Sequence, residues 1–483
     1  MQLDVTSNIN HLAKNVSKNS HQSGFHLLSD NTDAFVARFA LATLAEKTLD
    51  IQYYIMHQDA SGQYLGYAIL SAADRGVKVR ILVDDINISG RDSNFKMLSQ
   101  HENIQIRIFN PLTNRDWLRH IELLINLKRA GRRMHNKAFI ADNASAIIGG
   151  RNIGDEYFDA RNKLNFVDLD LLTIGPIVND ITTSFNDYWH SHWATPIEEI
   201  SKARVARKQL LKLRRNLKDK WHHARNTEYF QSLKQASLTQ KIINKKIDFI
   251  WADADLFYDR PEKLCKDQPE HTTHIGPQVM PYFNRAEKEL LVATPYFVPG
   301  KRGVQWFSEK KKQGVDIKIL TNSLAATDVT AVHAGYKKYR KQLLARGIHL
   351  FELKPTAKGL RSKTSKILEG SKQASLHAKY MVVDRQYVFI GSANLDPRSG
   401  LLNTEIGVMV NSRALAEKTT ELFNRSASLE NSYRLQLDKN NDSLSWLTRK
   451  DEEEITFVQE PDAGFARKLA VFLISLLPIE NLL

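Results

Sequence analysis

The same sparse pattern of charged residues occurs twice in this chain, and it constrains the fold more than any other feature. The first copy is RMHNKAFIAD and the second is SLHAKYMVVD. Both have a Lys two residues after a His and an Asp five residues after that Lys, which gives His135, Lys137, Asp142, His377, Lys379 and Asp384. One such pattern arises easily by chance, so its repetition needs support from the rest of the sequence.

The similarity between the two parts of the chain extends well beyond these stretches. AEKTLDIQYYIM, RGVKVRIL and IQIRIFNP in the first part resemble AEKELLVATPYF, QGVDIKIL and GIHLFELKP in the second. The matches keep the same order at a nearly constant offset of about 240 residues, which is typical of an internal repeat. The chain is therefore predicted to contain two copies of one folding unit.

Each copy has the pattern of an α/β unit. The β-rich apolar runs LDIQYYI and VKVRILV bracket GQYLGYAILSAADRG, whose apolar spacing and terminal Gly are typical of a helix and its C-cap. Strands that alternate with helices favour a mixed or mostly parallel sheet flanked by helices. We predict an α/β fold of two tandem domains, related by a pseudo-twofold axis, with one shared active site.

The predicted organisation has five parts. They are an N-terminal extension (1–24), a first domain (25–195), a basic helical linker (196–250), a second domain (251–440) and a C-terminal tail (441–483). The linker fits either a solvated connecting helix or a binding surface. The apolar part of the tail is too short to span a bilayer, and it fits either an interfacial amphipathic segment or a strap packed on the core.

The balance of charge favours an anionic partner. The 68 Lys and Arg residues exceed the 54 Asp and Glu residues, for a formal net charge of +14. Such an excess suits nucleic acid or an anionic membrane surface, although it also serves solubility alone. The single cysteine, Cys265, excludes an internal disulfide. The N-terminal sequence lacks the apolar run of a signal peptide, and no apolar stretch is long enough to predict a transmembrane helix.

The position of each residue within the repeated pattern predicts its role. Residues two apart on a β-strand point to the same face, so the His and Lys of each copy are expected to share one face, while Ala138 and Ile140 face the core. The Asp has the opposite parity. We therefore predict that Asp142 and Asp384 are structural ion-pair partners at the turn that closes each strand.

A second strand that ends in small residues follows each pattern. AIIGGRN and VFIGSAN place Asn152 and Asn394 after residues that permit close backbone approach, and the side-chain amide of Asn is a hydrogen-bond donor. Further on, NFVDLD and NTEIGV contain Asp168 and Glu405. These carboxylates are suited to holding an imidazole in one tautomer.

Brought together about a pseudo-twofold axis, these residues are suited to a phosphodiester. Two Lys and two Asn side chains form a site for a phosphate anion. One imidazole attacks the phosphorus atom, and the other protonates the leaving alcohol and activates the incoming one. Because the Lys pair neutralises the phosphate oxygens, the predicted mechanism needs no metal and no other cofactor. Each copy contains half of this set, which explains the duplication.

The two motifs resemble the HKD motifs of the phospholipase D superfamily. Other blocks, among them DLDLLTIGP, ILTNSLAATDVTAVHAGY, DPRSGLLNTEIGVMV and the ending LLPIENLL, are similar to those of the C-type bacterial cardiolipin synthases. The resemblance runs from about residue 25 to the C-terminus, apart from the linker and the loop near 356–372. It implies transfer of a phosphatidyl group through a phosphohistidine, with His135 and His377 as the nucleophile and acid pair and His135 as the nucleophile.

The resemblance also implies substrates and partners. The product would be cardiolipin, made from phosphatidylglycerol and either phosphatidylethanolamine or a second phosphatidylglycerol. The implied partners are phospholipid substrates, a peripheral anionic membrane surface and a small macrodomain-like helper protein, and nucleic acid is not expected. The implied location is cytoplasmic, peripheral on the bacterial inner membrane.

One stretch beside the first motif is a candidate for membrane contact. DWLRHIELLINLKRAGRR (116–133) runs directly into that motif and has a predicted apolar stripe among basic residues, formed by Trp117, Leu118, Ile121, Leu124 and Ile125. A helix packed over the domain explains the same pattern equally well.

Two other functions fit the same residues. A phospholipase D-type hydrolase or a phosphodiesterase that cleaves nucleic acid uses the same chemistry, and the net charge of +14 suits DNA as well as anionic lipid. The apolar stretches beside the first motif and near the C-terminus favour lipid. A catalytically silent membrane-binding or nucleic-acid-binding protein is the third hypothesis, and the intact His, Lys and Asn residues in both copies argue against it.

Overall fold

A computed structural model describes most of the chain. The described residues are 21–88, 92–115, 122, 127–161, 164–201, 205–244, 246–265, 273–357, 373–438 and 440–477. Most of the predicted N-terminal extension and the ending after Leu477 lie outside them. The same is true of the predicted apolar stripe of Trp117, Leu118, Ile121, Leu124 and Ile125.

Strands and helices alternate along the chain. The strands are β1 (Ser23–Leu28), β2 (Thr48–Tyr53), β3 (Lys78–Asp84), β4 (Ile104–Phe109), β5 (Ala138–Ala141), β6 (Ser145–Gly149), β7 (Leu164–Val167), β8 (Asp170–Ile174), β9 (Ala194–Pro196), β10 (Ile250–Tyr258), β11 (Glu289–Ala293), β12 (Asp316–Asn322), β13 (His349–Leu353), β14 (Gln373–Leu376), β15 (Tyr380–Val383), β16 (Tyr387–Gly391), β17 (Ile406–Asn411), β18 (Ser432–Asp438), β19 (Ser443–Lys450) and β20 (Glu453–Phe457). The helices are α1 (Asn31–Leu44), α2 (Ala60–Asp74), α3 (Asp92–Leu98), α4 (Leu127–Ala130), α5 (Ile177–Trp189), α6 (Ile197–Ile200), α7 (Arg207–Ala224), α8 (Glu228–Gln235), α9 (Ser237–Ile243), α10 (Ile275–Asn284), α11 (Gly300–Lys312), α12 (Thr330–Lys337), α13 (Arg340–Ala345), α14 (Pro397–Leu401), α15 (Arg413–Ala427) and α16 (Phe465–Ser475).

The first half of the chain forms a mixed sheet. Its strand order is β1–β8–β6–β5–β2–β3–β4–β9, with β2, β3 and β4 parallel and the other neighbours antiparallel. Helix α2 connects the parallel strands β2 and β3, as the sequence predicts, and Gly76 follows its C-terminus with a φ of 99°. A positive φ is the usual conformation of a glycine that ends a helix.

The second half repeats this strand order. Its sheet runs β10–β17–β16–β15–β11–β12–β13–β18, again with a parallel centre, β11 to β13. The predicted α/β fold of two copies is therefore confirmed. Strands β19 and β20 add to the edge beside β18, so the second sheet continues past the boundary expected at residue 440.

The two halves share a hydrophobic core. Strand β1 pairs antiparallel with β10, which joins the sheets at one edge. Ala138 and Ile140 of β5 and Val382 of β15 pack in the core between the halves, as expected for Ala138 and Ile140. Phe139, which has the opposite parity, packs instead in the core of the first half with the helices α1 and α2. The interface is thus formed by side chains that alternate along each central strand.

The linker and the tail pack differently on the two halves. Helix α7 contacts α2 and buries Leu217 and Trp221, whose ring stacks on Phe39 at a centroid distance of 4.5 Å. Helix α7 of the linker therefore has one apolar face that packs on the first half. Helix α16 of the tail lies against α12 of the second half and buries Val471 there. Across the described ranges, every helix is too short or too polar to cross a bilayer.

Candidate active site

Each motif histidine is held by a carboxylate from the opposite half. Nδ1 of His135 lies 2.8 Å from Oε2 of Glu405, and Nδ1 of His377 lies 2.5 Å from Oδ2 of Asp168. All four side chains are buried. When Nδ1–H of each ring donates to its carboxylate, Nε2 keeps a lone pair and faces away from that carboxylate.

Backbone pairing between the halves holds these contacts in place. Strand β7 ends just before Asp168 and runs parallel to β14, which ends just before His377. The N–H of His377 donates to the last carbonyl of β7 at 2.8 Å. At the related position, Met134 bridges to Thr404, and the N–H of His135 donates to the Thr404 carbonyl at 2.9 Å. Both His–carboxylate pairs therefore need the two halves together.

The motif lysines lie in the same buried centre. Nζ of Lys137 and Nζ of Lys379 each donate to the carbonyl oxygen of the His two residues earlier. Burial lowers the pKa of Lys137 to about 7 and that of Lys379 to about 8. Each ammonium also feels the carboxylates of both halves, Asp168 and Glu405. The ionisation of the two lysines is therefore coupled to the charge of both carboxylates.

The histidines are predominantly neutral at neutral pH. Burial lowers the pKa of His135 to about 4 and also lowers the pKa of His377. Burial opposes ionisation of the carboxylates too, but the neighbouring His, which donates a hydrogen bond, and the neighbouring Lys hold the pKa of Asp168 and of Glu405 below their usual ranges. A phosphodiester anion that enters the site will raise the pKa of both imidazoles, because it favours their charged form.

The motif His and Lys precede the strand instead of lying on it. Strand β5 begins at Ala138 and β15 begins at Tyr380, one residue after the Lys in each copy. The expectation that these residues lie on the strand itself is wrong in this detail. The segment that precedes each strand pairs with the opposite half instead of with its own sheet neighbour, as described for His135 and His377.

The motif aspartates lie at the turns that follow the strands. Asp142 accepts hydrogen bonds from the backbone N–H groups of Glu46, Lys47 and Thr48 at 2.7–2.9 Å. Asp384 accepts from the three corresponding N–H groups ahead of β11 at 2.8–2.9 Å. The expected cationic partner is replaced by backbone amides, because the loop before the neighbouring strand points three N–H groups at each carboxylate.

The motif asparagines have different contacts in the two halves. Nδ2 of Asn152 donates to the hydroxyl of Tyr157 at 2.9 Å, and its Oδ1 accepts the N–H of Ile55 at 3.2 Å. Oδ1 of Asn394 is buried and has no hydrogen-bond partner within the described residues. Of the two motif asparagines, Asn152 is thus the one whose amide oxygen is fixed by a described partner.

Aromatic rings that the sequence did not single out flank the histidines. The Tyr54 ring lies edge-on to His135 with centroids 5.0 Å apart, and the Tyr157 ring lies edge-on to His377 at 5.2 Å. Nζ of Lys137 lies 5.6 Å from the centre of the Tyr54 ring. Tyr54 belongs to the run QYYI, where alternation marks a strand but does not indicate which Tyr reaches the site.

Two serines hold Glu405 and have no counterpart at Asp168. Ser392 and Ser399 donate their hydroxyls to Oε2 and Oε1 of Glu405, the latter at 2.7 Å. The residue equivalent to Ser392 in the first half is Gly150, where an added Cβ would lie 2.2 Å from Oδ1 of Asp168. The shorter carboxylate therefore requires the smaller neighbour. The sequence difference between GGRN and GSAN contains this signal, but its meaning depends on the strand register.

This arrangement is suited to in-line displacement at a phosphorus atom. It joins two imidazoles with oriented Nδ1 atoms, two buried lysines and one incompletely paired amide. Among the residues that the structure describes, no group of three or more His, Cys, Asp or Glu side chains is placed to hold a metal ion.

Comparison with protein families supports the duplication. The family model described as "Cardiolipin synthase, PLD-like domain" matches residues 40–189 and 279–427, one match in each half. The chain is 38% identical over 468 residues to cardiolipin synthase C of Escherichia coli (strain K12), which covers 97% of this chain and 98% of that protein. It is 25% identical over 398 residues to cardiolipin synthase A of Pseudomonas entomophila (strain L48), covering 82% and 67%.

A solved structure supports the fold. The phosphatidylserine synthase of Haemophilus influenzae Rd KW20 matches with a TM-score of 0.59 at 13% identity, over 98% of this chain and 100% of that chain. At this identity the likeness concerns the arrangement of the backbone alone. It shows that the two halves and their connection follow a known architecture.

Proposed function

The chain belongs to the family of cardiolipin synthases with phospholipase D-like domains, and we propose that it makes cardiolipin by transferring a phosphatidyl group between two phospholipids. As a member of this family it is an enzyme of the phospholipase D superfamily, and homology supports phosphatidyl transfer. The observation that carries the finer proposal is that each histidine contacts a carboxylate of the opposite half, His135 with Glu405 and His377 with Asp168.

In the first step, His135 acts as the nucleophile. Its Nε2 attacks the phosphorus of the donor lipid, and the bond from phosphorus to the head-group oxygen breaks. His377, which the bound phosphodiester has helped to protonate, gives its proton to the leaving alcohol. The products are a phosphatidyl group on Nε2 of His135 and a free head-group alcohol, ethanolamine from phosphatidylethanolamine or glycerol from phosphatidylglycerol.

In the second step, a hydroxyl of phosphatidylglycerol is the acceptor. His377, now neutral, takes the proton of that hydroxyl, and the oxygen attacks phosphorus as the bond to Nε2 of His135 breaks. Cardiolipin leaves, and the proton gained by His377 serves the next cycle. Water in place of the acceptor lipid would give phosphatidic acid, so exclusion of water decides between transfer and hydrolysis.

The remaining site residues act on the phosphate and on the rings. Lys137 and Lys379 neutralise the negative charge on the phosphate oxygens, and Asn394 donates a hydrogen bond to one of them. Asn152 orients the ring of Tyr157, which lies beside His377, by its hydrogen bond to the Tyr157 hydroxyl. Asp168 and Glu405 keep Nδ1 of each imidazole protonated and stabilise the charged ring when it forms.

The proposed substrates reside in a bilayer, and helix α16 offers a surface for it. Most of the large apolar side chains that the described residues expose lie between Phe457 and Leu477, among them Phe465 (81% exposed) and Leu476 (68%). On the inner side, Arg467 donates to the carbonyls of Leu324 and Ala325, at the start of the loop that leads to α12. We expect this apolar face to lie on an anionic bilayer as a peripheral contact.

That same loop connects the helix to the catalytic centre. Asp328, in the loop before α12, accepts a hydrogen bond from the Tyr296 hydroxyl at 2.8 Å, and its charge acts on Lys379. A bilayer under α16 would therefore lie close to the entrance of the site, where a lipid head group must arrive.

Lipid analysis tests the proposed reaction directly. Purified enzyme is incubated with vesicles of isotope-labelled phosphatidylglycerol and phosphatidylethanolamine, and the products are identified by mass spectrometry. We expect labelled cardiolipin from the wild type and none from His135→Ala. Phosphatidic acid as the sole product would indicate a hydrolase. Cleavage of plasmid DNA without any lipid product would overturn the lipid assignment.

Vesicle binding tests the membrane surface. The double variant F472E/L473E changes two exposed residues of α16. Leu211→Glu, at an exposed position of α7, is the control. We expect the double variant to lose sedimentation with phosphatidylglycerol vesicles and to keep turnover of short-chain, monomeric lipid. Unchanged vesicle binding would assign the bilayer contact to another surface. The implied macrodomain-like helper stays a prediction, which co-purification from cells tests.

A further inference from the structure

The second half contains an apolar cavity at a place that buried charged side chains occupy in the described part of the first half. The cavity has a volume of about 590 Å³ and lies between α10, α11 and the outer face of the second sheet. Volumes of about 300–1,000 Å³ are typical of small-molecule sites. Most of the lining is apolar, including Val279, Phe283, Phe307, Met381 and Phe389. An apolar cavity offers water few hydrogen-bond partners, so it favours an apolar occupant.

Two substitutions between the repeats account for this difference. In the first half, Arg151 fills the corresponding space and is completely buried, with hydrogen bonds to Asn31 and to Asp170. The residue equivalent to Arg151 is Ala393, which lines the cavity. The residue equivalent to Asp170, from the strand register, is Gly407. Loss of both charged side chains leaves space beside α10.

Gly407 also positions part of the cavity wall. An added Cβ at Gly407 would lie 2.3 Å from the ring of Phe389, so a larger residue would displace that ring. The equivalent position in the first half has instead a buried ion pair of Asp170 with Arg38, at 2.9 Å. The cavity therefore depends on particular residues and is not a general consequence of the fold.

The cavity borders the catalytic centre. The segment 393–400, which includes most of α14, forms one wall and contains Asn394 and Ser399, both of which line the cavity. Ser399 donates its hydroxyl to Glu405, which in turn holds His135. Arg302, an exposed cation of α11, lies on the rim. A phosphate at the histidines would therefore lie near this wall of the cavity.

From this juxtaposition we propose that the cavity binds one acyl chain of a phospholipid substrate. The inference rests on the proposed function for its choice of ligand, and it deepens that function by assigning the apolar part of the substrate to the second half. In the first half, Arg151 and Asp170 occupy the equivalent space. Binding of one chain beside Asn394 would orient the head group toward the histidines and position the phosphorus for attack.

A chain-length series tests the cavity in the full-length His135→Ala protein, which cannot turn substrate over by the proposed route. The probes are lysophosphatidylglycerols with six-, eight- and ten-carbon chains, kept monomeric, and glycerophosphoglycerol, which has no chain. Calorimetry should show affinity that rises with each added methylene, by about fourfold at most. Val279→Phe and Ala393→Phe should flatten this series and leave glycerophosphoglycerol binding unchanged. Leu211→Phe, at an exposed position of α7, is the matched control and should keep the wild-type series.

The outcome that overturns the proposal is a folded Val279→Phe and a folded Ala393→Phe protein that both keep the wild-type dependence on chain length. If either variant does not fold, a second measurement decides. A lysophosphatidylglycerol with a photoreactive diazirine at the chain end is irradiated with the His135→Ala protein. Cross-links in α10 or α11 support the cavity, and cross-links confined to other elements, such as α16, contradict it.

The two proposals fail in different ways. Chain-length-dependent binding in the cavity without any phosphatidyl transfer by the wild type would remove the proposed reaction and retain the lipid site. Transfer by the wild type together with chain-length-independent binding would remove the cavity alone.

Discussion

The two halves of the molecule have the same strand order but different packing around their shared motif. Both contribute a His, a Lys and a carboxylate to the centre, and both end the motif strand with an Asp held by three backbone amides. The first half has the buried Arg38–Asp170–Arg151 cluster beside its sheet, and the linker helix α7 packs on α2. The second half has a cavity at the corresponding place.

This difference distinguishes the residues that carry out the reaction, which both halves contain, from the site that would bind the apolar part of the substrate. A displacement at phosphorus uses one group on each side, so the catalytic residues are retained in both halves. The donor lipid is asymmetric about its phosphorus, with acyl chains on one side and a head group on the other, so one apolar site is sufficient to position the donor. The interface between the halves keeps the pseudo-twofold symmetry of the catalytic residues. The outer faces of the two sheets differ.

Replacing each histidine in turn should distinguish the halves most strongly. We expect His135→Ala to abolish transfer, since no other group can hold the phosphatidyl intermediate. His377→Ala should lose on the order of 10²–10⁴-fold with natural lipids, which is the usual contribution of general acid catalysis. With a p-nitrophenyl phosphodiester, whose leaving group needs no proton, His377→Ala should release p-nitrophenol in a burst. Full turnover of natural lipids by His377→Ala would contradict the two-histidine mechanism.

The carboxylates should rank next in effect. Asp168→Asn and Glu405→Gln keep the shape of each side chain but lose the charge that holds the imidazole, and we expect losses of roughly 10²–10⁴-fold in kcat. Glu405→Gln should mainly slow formation of the phosphohistidine, because Glu405 serves His135. Asp168→Asn should mainly affect proton transfer, so its defect should shrink with the p-nitrophenyl substrate. Equal defects with both substrates would mean that the halves do not divide the reaction in this way.

The lysines should produce a pH dependence of about tenfold. A lysine is charged below its pKa, so the site loses positive charge as the pH rises through about 7 for Lys137 and about 8 for Lys379. Affinity for an anionic lipid then falls, and kcat/KM, which reports the free enzyme, should decline by about tenfold from pH 7 to pH 9. In Lys137→Met, the decline should move to higher pH, since Lys379 loses a like-charged neighbour. A flat profile would contradict the role of these cations in binding.

The motif aspartates should have the smallest effect on chemistry. Asp142→Asn and Asp384→Asn weaken three hydrogen bonds to backbone amides, and we expect each to lower the free energy of unfolding by about 1–3 kcal/mol. The kcat of the folded protein should change by less than a few-fold, with exposed Asp451→Asn as the control. Denaturant titration and steady-state assays measure the two quantities. A variant of normal stability that has lost all turnover would place the Asp in the reaction.

The motif and the duplication were predictable because both are local in sequence. The spacing of His135, Lys137 and Asp142 recurs in the second copy, and the alternation of strands with helices predicts the α/β fold that the structure confirms. Apolar alternation also placed Ala138 and Ile140 in the core. These inferences need only the periodicity of a strand or a helix, which the order of the residues contains.

The tertiary structure alone decided which residues meet. His135 pairs with Glu405 and His377 with Asp168, more than two hundred residues away in each case, because Met134 pairs with Thr404 and β14 pairs with β7 across the interface. The exchange of Arg151 for Ala393 is visible in the sequence, but whether it fills or opens a space depends on the register of two neighbouring strands and on α10. Such contacts arise from the packing of the two halves, which no local pattern encodes.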